Sequence, residues 1–172
     1  MSEQRRIVVG VSGSLGSLAA LHRAVAEARR TDAALLAVLA WVPPGGEYSF
    51  RRSPCPPLVS ACRDAAVERM LAAVTEAFPT GDPGVPLECV AVRGEPGVVL
   101  VGAADRSDDL LVVGAGRPGP LCRLLRPSVT SYCVRRAGCP VLTVPRLALQ
   151  RELAEVQRRN TWHLPLEPAP SR

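Results

Sequence analysis

Short apolar runs alternate along this chain with longer stretches whose apolar residues recur at helical spacing. The run Arg-Ile-Val-Val-Gly-Val-Ser at 6–12 is continuous and bounded by polar residues, the pattern of a strand buried on both faces. Gly13-Ser14 turns the chain, and Leu18, Leu21, Val25 and Ala28 then predict a helix to about Arg30. Thr31-Asp32 breaks it before a second apolar run at 33–42. Val59, Val67, Met70, Leu71, Val74 and Phe78 mark a long helix, ended by the Pro- and Gly-rich stretch from Pro79. A third strand is expected at 87–92. A turn at 93–96 then brings Pro96 to the start of a short helix reaching about Asp105. A fourth strand is expected at 109–113, a helix at 128–137 with Ser128 as its N-cap, and a fifth strand at 141–144.

Two segments depart from this rhythm. Pro43 to Pro57 is so dense in Pro and Gly that it reads as a long, mobile surface loop, neither helix nor ladder strand, of the kind that serves as a lid or an insertion. After Pro145 the pattern weakens. Leu147, Leu149, Leu153 and Val156 suggest a short amphipathic helix, and 161–172 reads as extended. The expected organisation is one domain over 1–146 and an extension over 147–172. Strands alternating with helices imply an α/β fold, an open parallel sheet with helices on both faces. In such sheets ligands sit at the carboxyl ends of the strands where strand order reverses. That rule points to Gly10–Ser14 and Gly114–Gly119.

Composition narrows the function. Of the 172 residues 47% are hydrophobic but only 3% aromatic, so Val, Leu and Ala must build the core. The apolar runs are far short of a bilayer span, which argues against a membrane partner. The first residues run straight into a strand without a signal-peptide pattern, and the expected location is cytoplasmic. All 21 basic residues are Arg, which excludes a Schiff-base lysine and a phosphate-loop lysine. The net charge of +5 is concentrated between 110 and 150, where Arg117, Arg123, Arg126, Arg135, Arg136 and Arg146 face no acid. Arg135, Arg136 and Arg146 read as a solvated face. A nucleic-acid platform is not expected, because no aromatic interleaves with these Arg before Tyr132. The six cysteines, at 55, 62, 89, 122, 133 and 139, form no C-x-x-C pair. Neither His22 nor His163 stands at zinc spacing from them, so free thiols and no metal are expected.

Few motifs carry chemistry. Gly114-Ala-Gly116-Arg-Pro-Gly119 spells G-x-G-x-x-G. Pro118 and Pro120 block an immediate helix, however, and no acid follows before Glu152, so it is not a dinucleotide fingerprint. Gly10-Val-Ser12-Gly13-Ser14 misses the nucleophile elbow G-x-S-x-G by its last residue. What remains is a pair of loops. The second ends at the helix start at Ser128, where amide N–H groups and the helix dipole favour an anion. Arg117, Arg123 and Arg126 would add bidentate phosphate contacts there.

Three stretches resemble the universal stress protein family across 6–146: Ile7-Val-Val-Gly-Val-Ser-Gly-Ser14, Val92-Arg-Gly-Glu-Pro96, and Leu111-Val-Val-Gly114 with Ser128-Val129 and Cys139-Pro-Val-Leu-Thr-Val144. The resemblance implies a five-stranded, Rossmann-like sheet of the adenine nucleotide alpha hydrolase type, order 3-2-1-4-5, and a homodimer paired through 141–144. One branch of the family binds ATP with a loop G-x-x-G, nine residues, then G-[ST]. Its first glycine falls on Gly114 and its serine on Ser128, while the other two glycines fall on Arg117 and Pro127. Arg hinders close backbone approach to phosphate, and Pro removes an N–H donor. Gly116 or Gly119 would have to serve in a shifted loop. ATP-binding members carry Asp where Ser12 stands, and Trp41 occupies the position where main-chain groups read adenine. The resemblance thus places a base by Gly10, Val11, Ser12 and Trp41, and phosphates by Gly114, Gly116, Arg117, Ser128 and Val129. Three readings stay open. The first is a non-catalytic stress-response dimer that binds ATP or another adenine nucleotide. The second is a nucleotide-free interaction module acting through the last strand and the tail. The third is a slow ATPase, for which Asp108 and Asp109 are the only acids near the loop.

Overall fold

The structure, a computed structural model, describes residues 5–52, 54–115 and 128–145. Its elements run β1 (Arg6–Gly10), α1 (Leu15–Thr31), β2 (Ala34–Trp41), α2 (Gly46–Arg52), α3 (Pro56–Ala77), β3 (Leu87–Arg93), α4 (Pro96–Ala103), β4 (Leu110–Gly114), α5 (Val129–Arg136) and β5 (Val141–Val144). The five strands are all parallel, in the order β3-β2-β1-β4-β5. The chain therefore winds outward from β1 through β2 to β3, then returns to the other side of β1 for β4 and β5. The reversal falls between β1 and β4, which pair in the register Ile7↔Leu110.

Alternate residues of the central strands feed two separate cores. Ile7, Val9, Leu35, Leu39 and Val112 pack with Leu18 and Leu21 of α1 and Met70 and Ala73 of α3. Val8, Val38, Leu111 and Val113 pack on the other face with Leu100 of α4 and Cys133 of α5. A strand buried on both faces has no polar side, which is why these segments read as continuous apolar runs. Among the described residues, no helix is long and apolar enough to cross a membrane.

At the amino end of the sheet, one ion-pair network ties β1 to β4. Arg6 Nε donates to Asp109 Oδ1 at 3.1 Å and Arg6 Nη2 to Asp109 Oδ2 at 2.7 Å. Nη2 also reaches Ala103 O and Asp105 Oδ1. These bonds, Asp109 first, hold the guanidinium pKa above its ordinary value, and Arg6 in turn lowers that of Asp105.

The expectation of a helix-free loop at 43–57 is corrected. Residues 46–52 form α2, and α3 opens at Pro56. Pro56 and Pro57 fall in the first turn of α3, where a missing N–H costs nothing because those amides have no partner in the helix. Gly45 and Gly46, at φ 78° and 79°, make the left-handed turn that leads into α2. The helix is fastened from outside. Arg93 donates from Nε and Nη2 to the two carboxylate oxygens of Glu47 at 2.7 and 2.8 Å, and its guanidinium lies 4.4 Å from the Phe50 ring centroid. The fork-on-carboxylate geometry holds the Glu47 carboxyl below its usual range.

Candidate functional site

The site is built where the carboxyl ends of β1 and β4 meet the starts of α1 and α5. The first of these turns is held by serines. Ser14 is the N-cap of α1, and its Oγ accepts from Ser17 N–H at 3.3 Å. Ser17 Oγ in return accepts from Ser14 N–H at 3.1 Å and Ser12 N–H at 3.2 Å, and donates to Ser14 O at 2.8 Å. This is a capping box with serine in place of the usual Glu or Gln. It uses a nearly buried hydroxyl to lock the loop that leaves β1. Ser12 Oγ stands at the surface of the same turn, 3.0 Å from Ser14 Oγ.

The second turn has the same construction. Ser128 caps α5, its Oγ accepting from Ser131 N–H at 3.1 Å. Thr130 Oγ1 donates to Gly114 O at 2.9 Å, stitching the first turn of α5 to the end of β4. Gly114 closes the group from the middle. A Cβ there would collide with the backbone O and C of Gly16, in the first turn of α1. Gly114 thus lies between two helix starts. Within the described residues, the first-turn amides of Leu15, Gly16, Val129 and Thr130 have no acceptor. Such amides and the aligned peptide dipoles make a positive end for each helix.

The predicted site residues separate into three groups. Gly10, Ser12, Gly114, Ser128 and Val129 lie at this junction. Gly10 is further explained by packing, since a Cβ would come within 2.9 Å of Leu100 Cδ1. Val11 is buried, and its N–H is spent on Val38 O at 2.9 Å. Trp41 is only 6% exposed and belongs to the α1/α3 core. Its carbonyl already accepts Gly94 N–H at 2.8 Å, and its indole Nε1 is buried with no hydrogen-bond partner among the described residues. Gly116 and Arg117 lie outside the described residues, as do Cys122, Arg123, Arg126, Pro127 and the 147–172 extension. Arg135 and Arg136 are exposed in the last turn of α5, at the opposite end of that helix from Ser128. Sequence reasoning did not single out Gly16, Ser17 or Thr130, and reached Ser14 only as the end of the Gly10–Ser14 turn, not as a helix cap. The spacing Ser14-x-x-Ser17 was the available signal.

The two acids considered for catalysis are placed elsewhere. Asp109 precedes β4, at the amino end of the sheet, with its side chain fully buried against Arg6. Asp108 lies in the turn before it. Cys55, Cys62, Cys89, Cys133 and Cys139 are free thiols, and burial pushes Cys133 up to about 11.

These features define an open, doubly wound α/β domain with its candidate site at the topological switch point. The chain belongs to the universal stress protein family, whose model matches residues 3–145. A universal stress protein crystallised in complex with cAMP is 32% identical, aligning 84% of this chain with 98% of that one at a TM-score of 0.55. Universal stress protein UspA from Lactobacillus plantarum is 25% identical over 84% of this chain and 99% of its own, TM-score 0.61. A universal stress protein from Archaeoglobus fulgidus is also 25% identical, over 82% and 98%, TM-score 0.57. No curated protein matches the chain.

Proposed function

We propose that this universal stress protein binds an adenine nucleotide at the β1/β4 junction and acts as a non-catalytic regulator. The phosphate faces the starts of α1 and α5, and the nucleoside lies toward Ser12. The observation that carries the reading is the convergence of two serine-capped helix starts on Gly114, leaving four amide donors for an anion. The 32% identical relative in complex with cAMP supports adenine as the base. The non-catalytic part is supported by Asp109, one of the two acids considered for catalysis, being locked to Arg6 at the far end of β4 from the site.

Thermal unfolding with ATP, AMP and cAMP tests the reading. A ligand at 100 times its dissociation constant stabilises by about 2.7 kcal/mol. For a chain of this size that is a rise in Tm of roughly 5–10 °C. Absence of a shift with all three at millimolar concentration, on folded protein, would sink the nucleotide reading.

The same reading includes a homodimer paired through β5. This strand is an edge of the sheet, and Val141, Leu142 and Val144 are only half-buried there. Leu111 N–H bonds Pro140 O and Ala115 N–H bonds Val144 O, so the even-numbered carbonyls face β4 and the backbone of Thr143 faces outward. Thr143→Pro therefore removes an outward donor without touching the β4 ladder. The expected result in sedimentation equilibrium is a folded monomer in place of a dimer. A Thr143→Pro chain that sediments like the parent would reject pairing through this edge. The free thiols support a reducing compartment such as the cytoplasm.

A further inference from the structure

Among the described helices, α2 alone places no described side chain in either core. Tyr48 is 72% exposed, and Arg51 and Arg52 are exposed beside it. A helix of seven residues does not hold its shape in water unaided, because nucleation is costly and few bonds follow it. Among the described residues, what fastens its side chains to the sheet is Arg93, at the end of β3. The guanidinium fork meets Glu47 and its flat face meets Phe50. The two side chains of this ion pair are 31% and 37% exposed, so water and salt reach the contact. A segment with so few buried apolar contacts opens at far less than the free energy of global unfolding.

The flanks of α2 suit a segment that moves as a unit. Pro43 is fully buried, which fixes the stem just after Trp41. Gly45 and Gly46 follow in left-handed backbone, and nothing described lies within 4 Å of a Cβ on Gly46. Pro54 and Pro56 stiffen the far side before α3. Bending is therefore concentrated at the two glycines. The stem also stands at the ligand end of the sheet. α2 follows the carboxyl end of β2, the strand next to β1, and the chain leaving β1 is tied to β2 through Val11 N–H and Val38 O. Trp41 lies in register with Arg93, so stem and latch stand at the same level. Adjacent strands are about 4.8 Å apart, and a helix of this length is roughly 10 Å long. α2 is thus rooted one strand spacing from the loop that carries Ser12.

We propose that α2 is a flap, latched shut by Arg93 on the nucleoside side of the candidate site. Ligand enters and leaves when the latch breaks and the flap turns about Gly45 and Gly46. The latch does not depend on which ligand the site takes, whereas what passes it rests on the nucleotide reading.

Limited trypsin digestion of the full chain and stopped-flow binding of fluorescent ATP, AMP and cAMP test this together. Arg93→Leu keeps an apolar stem against Phe50 and removes the fork. Glu47→Ala breaks the latch from the flap and leaves β3 unaltered. In either variant, cleavage after Arg51 and Arg52 should accelerate about ten-fold, since proteolysis tracks the open population. Cleavage after Arg69, inside α3, reports opening of the core and should keep its rate. Measured against Arg69, added salt should speed cleavage after Arg51 and Arg52 in the unaltered chain and not in the variants. Nucleotide association and dissociation should both become several-fold faster, with the dissociation constant unchanged, because a gate that favours neither state shifts no equilibrium. Unaltered cleavage after Arg51 and Arg52, or a rise that Arg69 shares, would overturn the latch. Faster cleavage with unaltered binding rates, or an affinity lost through dissociation alone, would overturn the gate. If the unaltered chain binds none of the three nucleotides, the nucleotide reading fails, and the cleavage rates still decide the latch.

Discussion

Arg6→Ala is expected to lower the unfolding free energy by about 3 kcal/mol, the low end of the cost of breaking a buried ion pair. The low end applies because the Arg6 side chain keeps 23% exposure while that of Asp109 has none. Water therefore reaches one partner only. Without the guanidinium, Asp109 keeps a single bond from the described chain, the N–H of Arg106 at 3.2 Å. A carboxylate in that position is a buried charge without a counter-charge. For a domain of roughly 150–250 residues the loss is a fall in Tm of roughly 6–12 °C. The cause can be isolated. Adding Asp109→Asn to Arg6→Ala removes the stranded charge and keeps an acceptor for Arg106, so the double variant should melt above the single one. If it melts at or below the Arg6→Ala chain, charge burial is not the source of the loss. Arg6 and Asp109 fix the amino ends of β1 and β4, the two strands whose other ends form the site. The pair lies at the opposite end of the sheet from the site, so a folded Arg6→Ala chain should keep its nucleotide-induced rise in Tm.

How far the molecule was legible depended on whether its constraints were local. The strand runs at β1, β2 and β4 were plain because burial on both faces leaves no polar position to blur them. Ser128 was plain as a cap because a small hydroxyl residue ahead of a helical stretch has few other uses. α2 was hidden. The preceding Pro43, Pro44 and Gly45 and its own first residue Gly46 read as loop, and what fastens it is an Arg93–Glu47 pair 46 residues apart in sequence. No local pattern contains that contact. Pro56 and Pro57 misled for a related reason, since the same residue breaks a helix interior and opens a first turn. At the site, Ser17 was missed because a capping box is recognised by Glu or Gln at that spacing. Ser17 takes the N-cap amide of Ser14 that Glu or Gln would take, and with the same hydroxyl takes the N–H of Ser12 as well. Trp41 was placed correctly at the end of β2, but its carbonyl bond to Gly94 depends on how β3 pairs, which the local sequence does not state.

Gly114 is the residue whose meaning changed most, and Gly114→Ala is the sharpest test of the site. Its first reading was as a glycine that lets backbone approach phosphate. The structure supplies a reason that needs no ligand. Gly114 sits in ordinary strand backbone, and an added Cβ would run into the carbonyl of Gly16, with Ser17 N 3.4 Å away. These are backbone atoms of a helix turn already locked by the Ser14–Ser17 capping box, so no flexible side chain can give way. The expected cost is that of overpacking, about 1–3 kcal/mol, as β4 is pushed off α1 or the first turn frays. Gly102→Ala is the matched control. Among the described residues nothing lies within 4 Å of a Cβ there, the residue is helical, and the change should stabilise by about 0.4–1 kcal/mol through the unfolded chain. The two alanines should therefore move stability in opposite directions, while nucleotide affinity falls only for Gly114→Ala. The decisive comparison is between melting and binding. If Gly114→Ala melts with Gly102→Ala yet no longer responds to ATP, AMP or cAMP, the glycine serves the ligand and not the packing. If both stability and response fall together, the close approach of β4 to α1 is what builds the anion-facing end of the sheet.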